Sequence, residues 1–97
     1  MKIYLVGKIT NYEHYFIDFW NAEAYFKAKY DCIVLNPAKT VARIDGLEHS
    51  EYLHICKAMI DVCEAVAFLP NWTESKGAKI EMEYANSKSK KIIYLEE

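Results

Sequence analysis

The chain has 97 residues, of which 53% are hydrophobic, and it carries a formal net charge of −2. This length predicts a single domain over residues 1–97, with enough apolar side chains to form a core. A nearly neutral chain has no electrostatic attraction to nucleic acid polymers or to anionic membranes, so we expect neither as a partner.

The first ten residues, MKIYLVGKIT, become polar too early for a signal peptide or a membrane span, which predicts a cytoplasmic protein. The three cysteines contain no Cys-x-x-Cys motif, so they predict neither a disulfide framework nor a zinc site. His49 and His54 have no companions with metal-ligand spacing. We therefore expect no metal and no other cofactor.

The first predicted element is a strand from Lys2 to Gly7, and the helix that follows it has an unusually wide apolar face. The strand is a near-continuous apolar run, which is typical of a parallel strand covered on both faces. From Tyr12 to Lys29 the apolar residues follow helical spacing. They form two neighbouring stripes, the first with Tyr12, Tyr15, Phe16, Phe19, Ala22 and Phe26, the second with Ile17, Trp20, Ala24 and Ala28.

A face of two stripes is wider than contact with one sheet requires, so we expect a homodimer that uses it. The alternative is a helix buried deeply in its own core. The remaining elements are predicted as strand Cys32 to Leu35, helix Glu48 to Val62, strand Ala65 to Leu69, helix Gly77 to Ser87 and strand Lys91 to Leu95.

The regular alternation of strands and helices predicts βαβ units with right-handed crossovers. The expected fold is an α/β three-layer sandwich, flavodoxin-like or Rossmann-like, with a four-stranded parallel sheet in an order near 2-1-3-4. This order places strands 1 and 3 side by side, with Gly7 and Pro70 at adjacent carboxyl ends. Ligands of such folds bind in the crevice at these carboxyl ends, where we expect Tyr4, Lys8 and Asn11 to lie close to Glu81.

Glu81 is the candidate reactive residue, because it stands near the start of the third predicted helix. The partial positive charge of a helix N-terminus favours an ionised carboxylate, as attack on an anomeric carbon requires. The opposing interpretation is that Glu81 is an ordinary acidic residue of the kind common at helix starts. Tyr4 can hydrogen-bond this carboxylate from the neighbouring strand, or it can simply pack in the core.

Three segments carry a resemblance to a known family. They are Tyr4-Leu5-Val6-Gly7, Asn36-Pro37-Ala38 and Leu69-Pro70-Asn71-Trp72-Thr73-Glu74-Ser75-Lys76-Gly77-Ala78-Lys79-Ile80-Glu81. The chain resembles the nucleoside 2-deoxyribosyltransferase superfamily over nearly its whole length. Within it, the likeness is closest to a small, mostly phage- and prophage-encoded family of largely unassigned function. The most specific part is the fixed spacing of Ser75, Gly77, Glu81 and Ala85.

The resemblance implies cleavage of the N-glycosidic bond of a deoxynucleoside or its 5′-monophosphate. Glu81 would be the nucleophile that attacks C1′, and Tyr4 would orient it. Ser75 and Gly77 would bind the sugar or a 5′-phosphate at the helix start. The other expected substrate-binding residues are Gly7, Lys8, Asn11, Pro70, Trp72 and Lys76. The superfamily commonly builds its site across a dimer interface, which also favours a homodimer.

The chain departs from the superfamily pattern at four positions. Active relatives carry an aspartate that handles the proton of the leaving base where this chain has Cys56. The next acidic position, usually aspartate, is Glu64, which we expect to contribute to catalysis; Asp61 and His54 are the alternative replacements for the missing acid. Lys8 replaces a common proline, and Asn71 replaces a glycine of the closest family.

Three hypotheses follow from this pattern. The first is an N-glycosidic transferase or hydrolase acting on a small-molecule nucleoside or nucleotide. The second is a nucleotide-binding or nucleotide-sequestering protein that has lost turnover with the acid. The third is a small interaction protein that docks a larger partner through its first helix.

Overall fold

Strands and helices alternate along residues 1–96, the part of the chain that this computed structural model describes. The elements are β1 (Lys2–Val6), α1 (Tyr15–Lys29), β2 (Ile33–Leu35), α2 (His49–Asp61), β3 (Ala65–Phe68), α3 (Lys76–Ser87) and β4 (Lys91–Tyr94). Short 3-10 turns follow β2, at Pro37–Lys39 and Val41–Arg43, and precede α3, at Trp72–Glu74. Each strand and helix predicted from the sequence is present.

The four strands form one parallel sheet in the order β2-β1-β3-β4. Tyr4 of β1 lies opposite Leu35 of β2 on one side and Val66 of β3 on the other. The predicted α/β fold and strand order are therefore confirmed. The order reverses between β1 and β3, so a crevice opens at the carboxyl ends of these two central strands.

The pleat of β1 divides its side chains between two hydrophobic cores. Ile3 and Leu5 pack with Phe19 and Phe26 of α1 on one face of the sheet. On the other face, Tyr4 and Val6 pack with residues of α2 and α3, including Cys56, Ile60, Ala78 and Ala85. Successive strand residues point to opposite faces, so Tyr4 is directed to the α2–α3 side.

Only one of the two apolar stripes of α1 packs against the rest of the chain. Phe19 and Phe26 are buried, whereas Ile17 is 57% exposed and Trp20 51% exposed. The alternative of a helix buried deeply in its own core therefore does not describe this chain.

A buried carboxylate, Glu23, joins α1 to the turn after β2. Its side chain accepts hydrogen bonds from Asn36 Nδ2 at 3.1 Å and from Lys39 Nζ at 3.0 Å, and Lys27 Nζ lies 2.9 Å away. Burial raises the pKa of Glu23, but the bonds from Lys27, Asn36 and Lys39 outweigh it and lower the pKa below its usual value. This carboxylate is held ionised and acts as a structural anchor.

Gly7 ends β1 at a point where three elements meet closely. A Cβ at this position would lie 3.1 Å from Leu69 Cβ and 3.1 Å from Phe19 Cζ. The glycine therefore permits the close approach of β1, β3 and α1 at the edge of the crevice. Among residues 1–96, no helix has both the length and the apolar composition to cross a bilayer.

Candidate active site

Tyr4 and Glu81 form a hydrogen-bonded pair between the central strand and α3. The Tyr4 hydroxyl donates to Glu81 Oε2 at 2.6 Å, and both side chains are buried. The two residues are 77 positions apart in the chain. The strand order brings them together, because β1 lies beside β3 and α3 follows β3 directly.

Burial dominates the protonation of Glu81. It raises the pKa of this carboxyl group to about 7, although hydrogen bonds from Tyr4 and Cys56 act to lower it. The sequence had indicated an ionised carboxylate favoured by the helix N-terminus. Glu81 instead lies in the second turn of α3, beyond the short reach of that effect, and it is desolvated. At neutral pH the group is divided between its two protonation states.

The groups around Glu81 are neutral phenols and a neutral thiol. Burial, reinforced by Glu81, raises the pKa of the Cys56 thiol to about 12. Burial likewise raises the pKa of Tyr4 and of Tyr52 well above the ordinary value of 10.0. Within this cluster, Glu81 is therefore the group that changes charge near neutral pH.

A cavity of about 360 Å³ lies against this cluster at the carboxyl ends of the strands. Its volume falls within the roughly 300–1,000 Å³ range of small-molecule sites. The wall is completed by the loop between β2 and α2, from Val41 to Leu47. Glu81 faces this cavity together with Gly7, Ser75 and Gly77. These four were all predicted as site residues from the sequence.

The start of α3 is built to leave polar groups at the cavity. The Ser75 side chain caps the helix, because its Oγ accepts a hydrogen bond from Ala78 N at 3.1 Å. The Ser75 hydroxyl remains able to donate its own hydrogen. The first N–H groups of a helix have no partner within the helix, and Lys76 and Gly77 are the first two residues of α3.

Several predicted site residues lie outside this cavity. Lys8 and Pro70 line a separate groove of about 910 Å³ between α1 and the ends of β3 and β4. Lys8 Nζ pairs there with Glu74 Oε1 at 3.3 Å. Trp72 packs against Phe68 and Tyr94, with ring centroids 5.1 and 6.3 Å away. The expected convergence of Lys8 with Glu81 is therefore not found.

Asn11, Lys76 and Glu64 are also separate from the cavity lining. Asn11 is exposed and adopts a left-handed backbone conformation with φ of 57°, and Lys76 is exposed on the first turn of α3. Glu64 directly precedes β3, so it lies at the amino edge of the sheet, where its Oε1 accepts from Lys2 N at 3.3 Å. The structure does not bring Glu64 to the site, because Glu81 faces the cavity at the opposite, carboxyl edge.

The cavity wall includes two side chains of α2 that were not identified as site residues from the sequence. Tyr52 was assigned only to the inner face of the second helix, and His49 was considered only as a metal ligand. Both line the cavity with Glu81. The available signal was the position of Tyr52 one turn before Cys56, which places both on the same face of α2. In the described chain, no three His, Cys, Asp or Glu side chains form a metal-ligand cluster.

The fold and the site together define a class: a Rossmann-like α/β protein with a buried carboxyl group facing a small cavity at its strand ends. The chain belongs to the family described as Domain of unknown function (DUF4406), whose model matches residues 1–94. No curated protein and no solved structure matches it significantly.

The Tyr4→Phe substitution is expected to raise the pKa of Glu81 further. It removes a hydrogen bond to the ionised carboxylate, and bonds to charged groups contribute roughly 1.5–3 kcal/mol. The measurement is an NMR titration of the Glu81 carboxyl carbon. Tyr84→Phe is a matched control, because the Tyr84 hydroxyl donates to the exposed Asp61 at 2.5 Å, away from the cavity. An unchanged Glu81 midpoint in Tyr4→Phe would contradict the assigned role of the hydrogen bond.

Proposed function

We propose that the protein cleaves or transfers the N-glycosidic bond of a deoxynucleoside or deoxynucleotide, with Glu81 as the nucleophile. One observation carries the proposal: the buried Glu81 carboxyl group is held by Tyr4 at the wall of a ligand-sized cavity. The resemblance to the nucleoside 2-deoxyribosyltransferase superfamily supports the same assignment, since its most specific positions include Ser75, Gly77 and Glu81.

The chemistry begins with the ionised carboxylate. Tyr4 donates to Oε2 and fixes the side chain, and a carboxylate oxygen of Glu81 attacks C1′ of the sugar. The C1′–N bond breaks, and its electron pair passes to the base. The resulting glycosyl ester is then opened by water, which gives hydrolysis, or by a second base, which gives transfer. No cofactor enters these steps.

The sugar side of the substrate is assigned to the start of α3. Ser75 and Gly77 line the cavity beside Glu81. A hydroxyl donor and the unpaired N–H groups of a helix N-terminus suit a sugar oxygen or a 5′-phosphate. The loop from Val41 to Leu47 closes the opposite wall and limits the size of the substrate.

The direct test is incubation of the protein with the deoxynucleosides and their 5′-monophosphates, with and without an acceptor base. Freed or exchanged base is resolved by chromatography. Release from at least one substrate is the expected result. The absence of release from every one of them contradicts the proposal.

A second candidate function, nucleotide binding without turnover, is favoured by Cys56. Its thiol is completely buried and its pKa is raised to about 12, so it is a poor donor of a proton to a leaving base. Calorimetry distinguishes this candidate from the enzyme, because a binding protein without turnover should bind a nucleotide that is then recovered intact. Binding followed by base release favours the enzyme, and no binding across the panel excludes both.

We also propose that the protein is a homodimer formed through the exposed stripe of α1. Ile17 and Trp20 are 57% and 51% exposed on this helix, and Ala24 and Ala28 of the same stripe are exposed as well. Large apolar side chains grouped on one exposed face are typical of an interface.

The Trp20→Glu substitution is expected to weaken dimerisation by at least roughly tenfold, because buried tryptophans rank among the strongest interface contributors. Analytical ultracentrifugation over a concentration series gives the dissociation constant. Val62→Glu is the control, since Val62 is 55% exposed at the end of α2 rather than on α1. A wild-type chain that stays monomeric throughout contradicts the homodimer and favours a different partner for this face.

A further inference from the structure

Tyr52 is a polar side chain in the cavity that the mechanism above does not use. It lies on α2 one turn before Cys56 and lines the cavity together with Glu81. Cys56 has no exposed surface, so a molecule in the cavity cannot contact it. The phenol of Tyr52 and, one turn earlier, the imidazole of His49 are therefore the parts of this face of α2 that a ligand can reach.

The surroundings of the phenol place it over the carboxyl edge of the sheet. Its pKa is raised mainly by burial, and also by the nearby Cys56, Glu81 and Tyr15. Cys56 and Glu81 belong to α2 and α3, whereas Tyr15 begins α1 on the other face of the sheet. The cavity that Tyr52 lines also includes Val6 and Gly7 at the carboxyl end of β1, so Tyr52 lies at the strand ends, in the crevice where a substrate of Glu81 would bind.

We propose that Tyr52 recognises the leaving base, its hydroxyl donating a hydrogen bond to an acceptor nitrogen or oxygen of that base as the glycosidic bond breaks. The inference rests on the proposed N-glycosidic function. It names the substrate class as deoxynucleosides whose base leaves with negative charge on such an acceptor.

The electron balance of this step is simple. A carboxylate oxygen of Glu81 forms a bond to C1′, the C1′–N bond breaks, and the electron pair remains on the base. A phenol with a raised pKa keeps its proton at neutral pH, so Tyr52 stabilises the developing charge by donation rather than by full proton transfer. The base acquires its proton from the water that hydrolyses the glycosyl ester.

The test compares wild type with Tyr52→Phe on two substrates. One is 2′-deoxyinosine, whose base leaves with developing negative charge; the other is 7-methyl-2′-deoxyguanosine, whose cationic base leaves neutral. Loss of a preorganised donor costs about 10²–10³-fold in kcat, and this loss is expected for deoxyinosine alone. Tyr25→Phe is the control, because the exposed Tyr25 lines the other groove and contacts Lys29.

The outcomes separate this inference from the proposed function. An equal loss on both substrates indicates a structural role, and no loss on either removes Tyr52 from the reaction; both overturn the inference while the proposed function stands. If wild type cleaves neither substrate, the full panel of deoxynucleosides and 5′-monophosphates decides the proposed function separately. Calorimetry with hypoxanthine then decides the inference: weaker binding by Tyr52→Phe supports base recognition, whereas equal or absent binding overturns it.

Discussion

The Glu81→Gln substitution is expected to reduce base release by roughly 10³-fold or more, because it removes the proposed nucleophile while leaving the rest of the cavity in place. Glutamine has nearly the same shape as glutamate, and its carbonyl oxygen can still accept the hydrogen bond from Tyr4. Nucleotide binding should therefore persist when cleavage is lost. Chromatography measures base release, and calorimetry measures nucleotide binding.

The pH profile of the wild-type reaction provides an independent check on the same residue. The proposed mechanism uses the ionised form of Glu81 as the nucleophile, and burial raises the pKa of this group to about 7. The rate should therefore rise as the pH passes through about 7. Glu83→Gln, an exposed neighbour on α3, is the matched control and should retain wild-type activity. A Glu81→Gln variant that releases base as fast as wild type would remove the nucleophile assignment.

The second large effect is on stability, and there Glu81→Gln is expected to stabilise the fold at pH 8. Below pH 4.5, Glu81 is protonated in both the folded and the unfolded chain. Between 4.5 and about 7 the unfolded chain loses this proton while the folded chain retains it, so stability falls as the pH rises. Above pH 7 the loss is complete, and a shift of this size corresponds to about 3 kcal/mol. Glutamine does not titrate and avoids the loss.

The measurement is chemical unfolding of wild type and Glu81→Gln at pH 4 and at pH 8. The stabilisation by glutamine should be about 3 kcal/mol larger at pH 8 than at pH 4. Glu23→Gln is the opposing control, because the pKa of this second buried carboxylate is lowered by its partners. Its substitution should destabilise the fold at pH 8. A Glu81→Gln effect that is equal at both pH values would show that the native pKa is not raised.

The sequence predicted the sheet more completely than the site. Near-continuous apolar runs such as 2–7 and 65–69 identify parallel strands because both faces of such a sheet are covered. Their alternation with helices limits the connections to right-handed crossovers, which is why the strand order could be predicted. The exposure of the stripe around Trp20 could not be predicted from periodicity, since an apolar stripe has the same spacing whether it is buried or exposed.

The site depended on information that spacing does not contain. By position alone, Glu81 was better explained as an ordinary helix residue. The strand order placed Tyr4 near it, but only the resemblance favoured a reactive pair over a packing tyrosine. The direction of its pKa shift was missed, because desolvation depends on what the tertiary fold packs around a side chain. Tyr52 was not identified as a site residue, because its position in the cavity also depends on how the tertiary fold packs α2 against the strand ends. Glu64 was misplaced because its expected role came from the resemblance, although its position directly before β3 already puts it at the amino edge of the parallel sheet.

The hydrogen bond between Tyr4 and Glu81 has a consequence for how the chain acquires its site. The two residues are separated by 77 positions, so their contact closes a loop that includes most of the polypeptide. Contacts of such long range form only as the whole domain assembles. A nascent or partly folded chain, in which β1 has not yet joined β3, therefore holds neither the cavity nor the oriented carboxyl group. The candidate site is therefore present only in the completely folded domain.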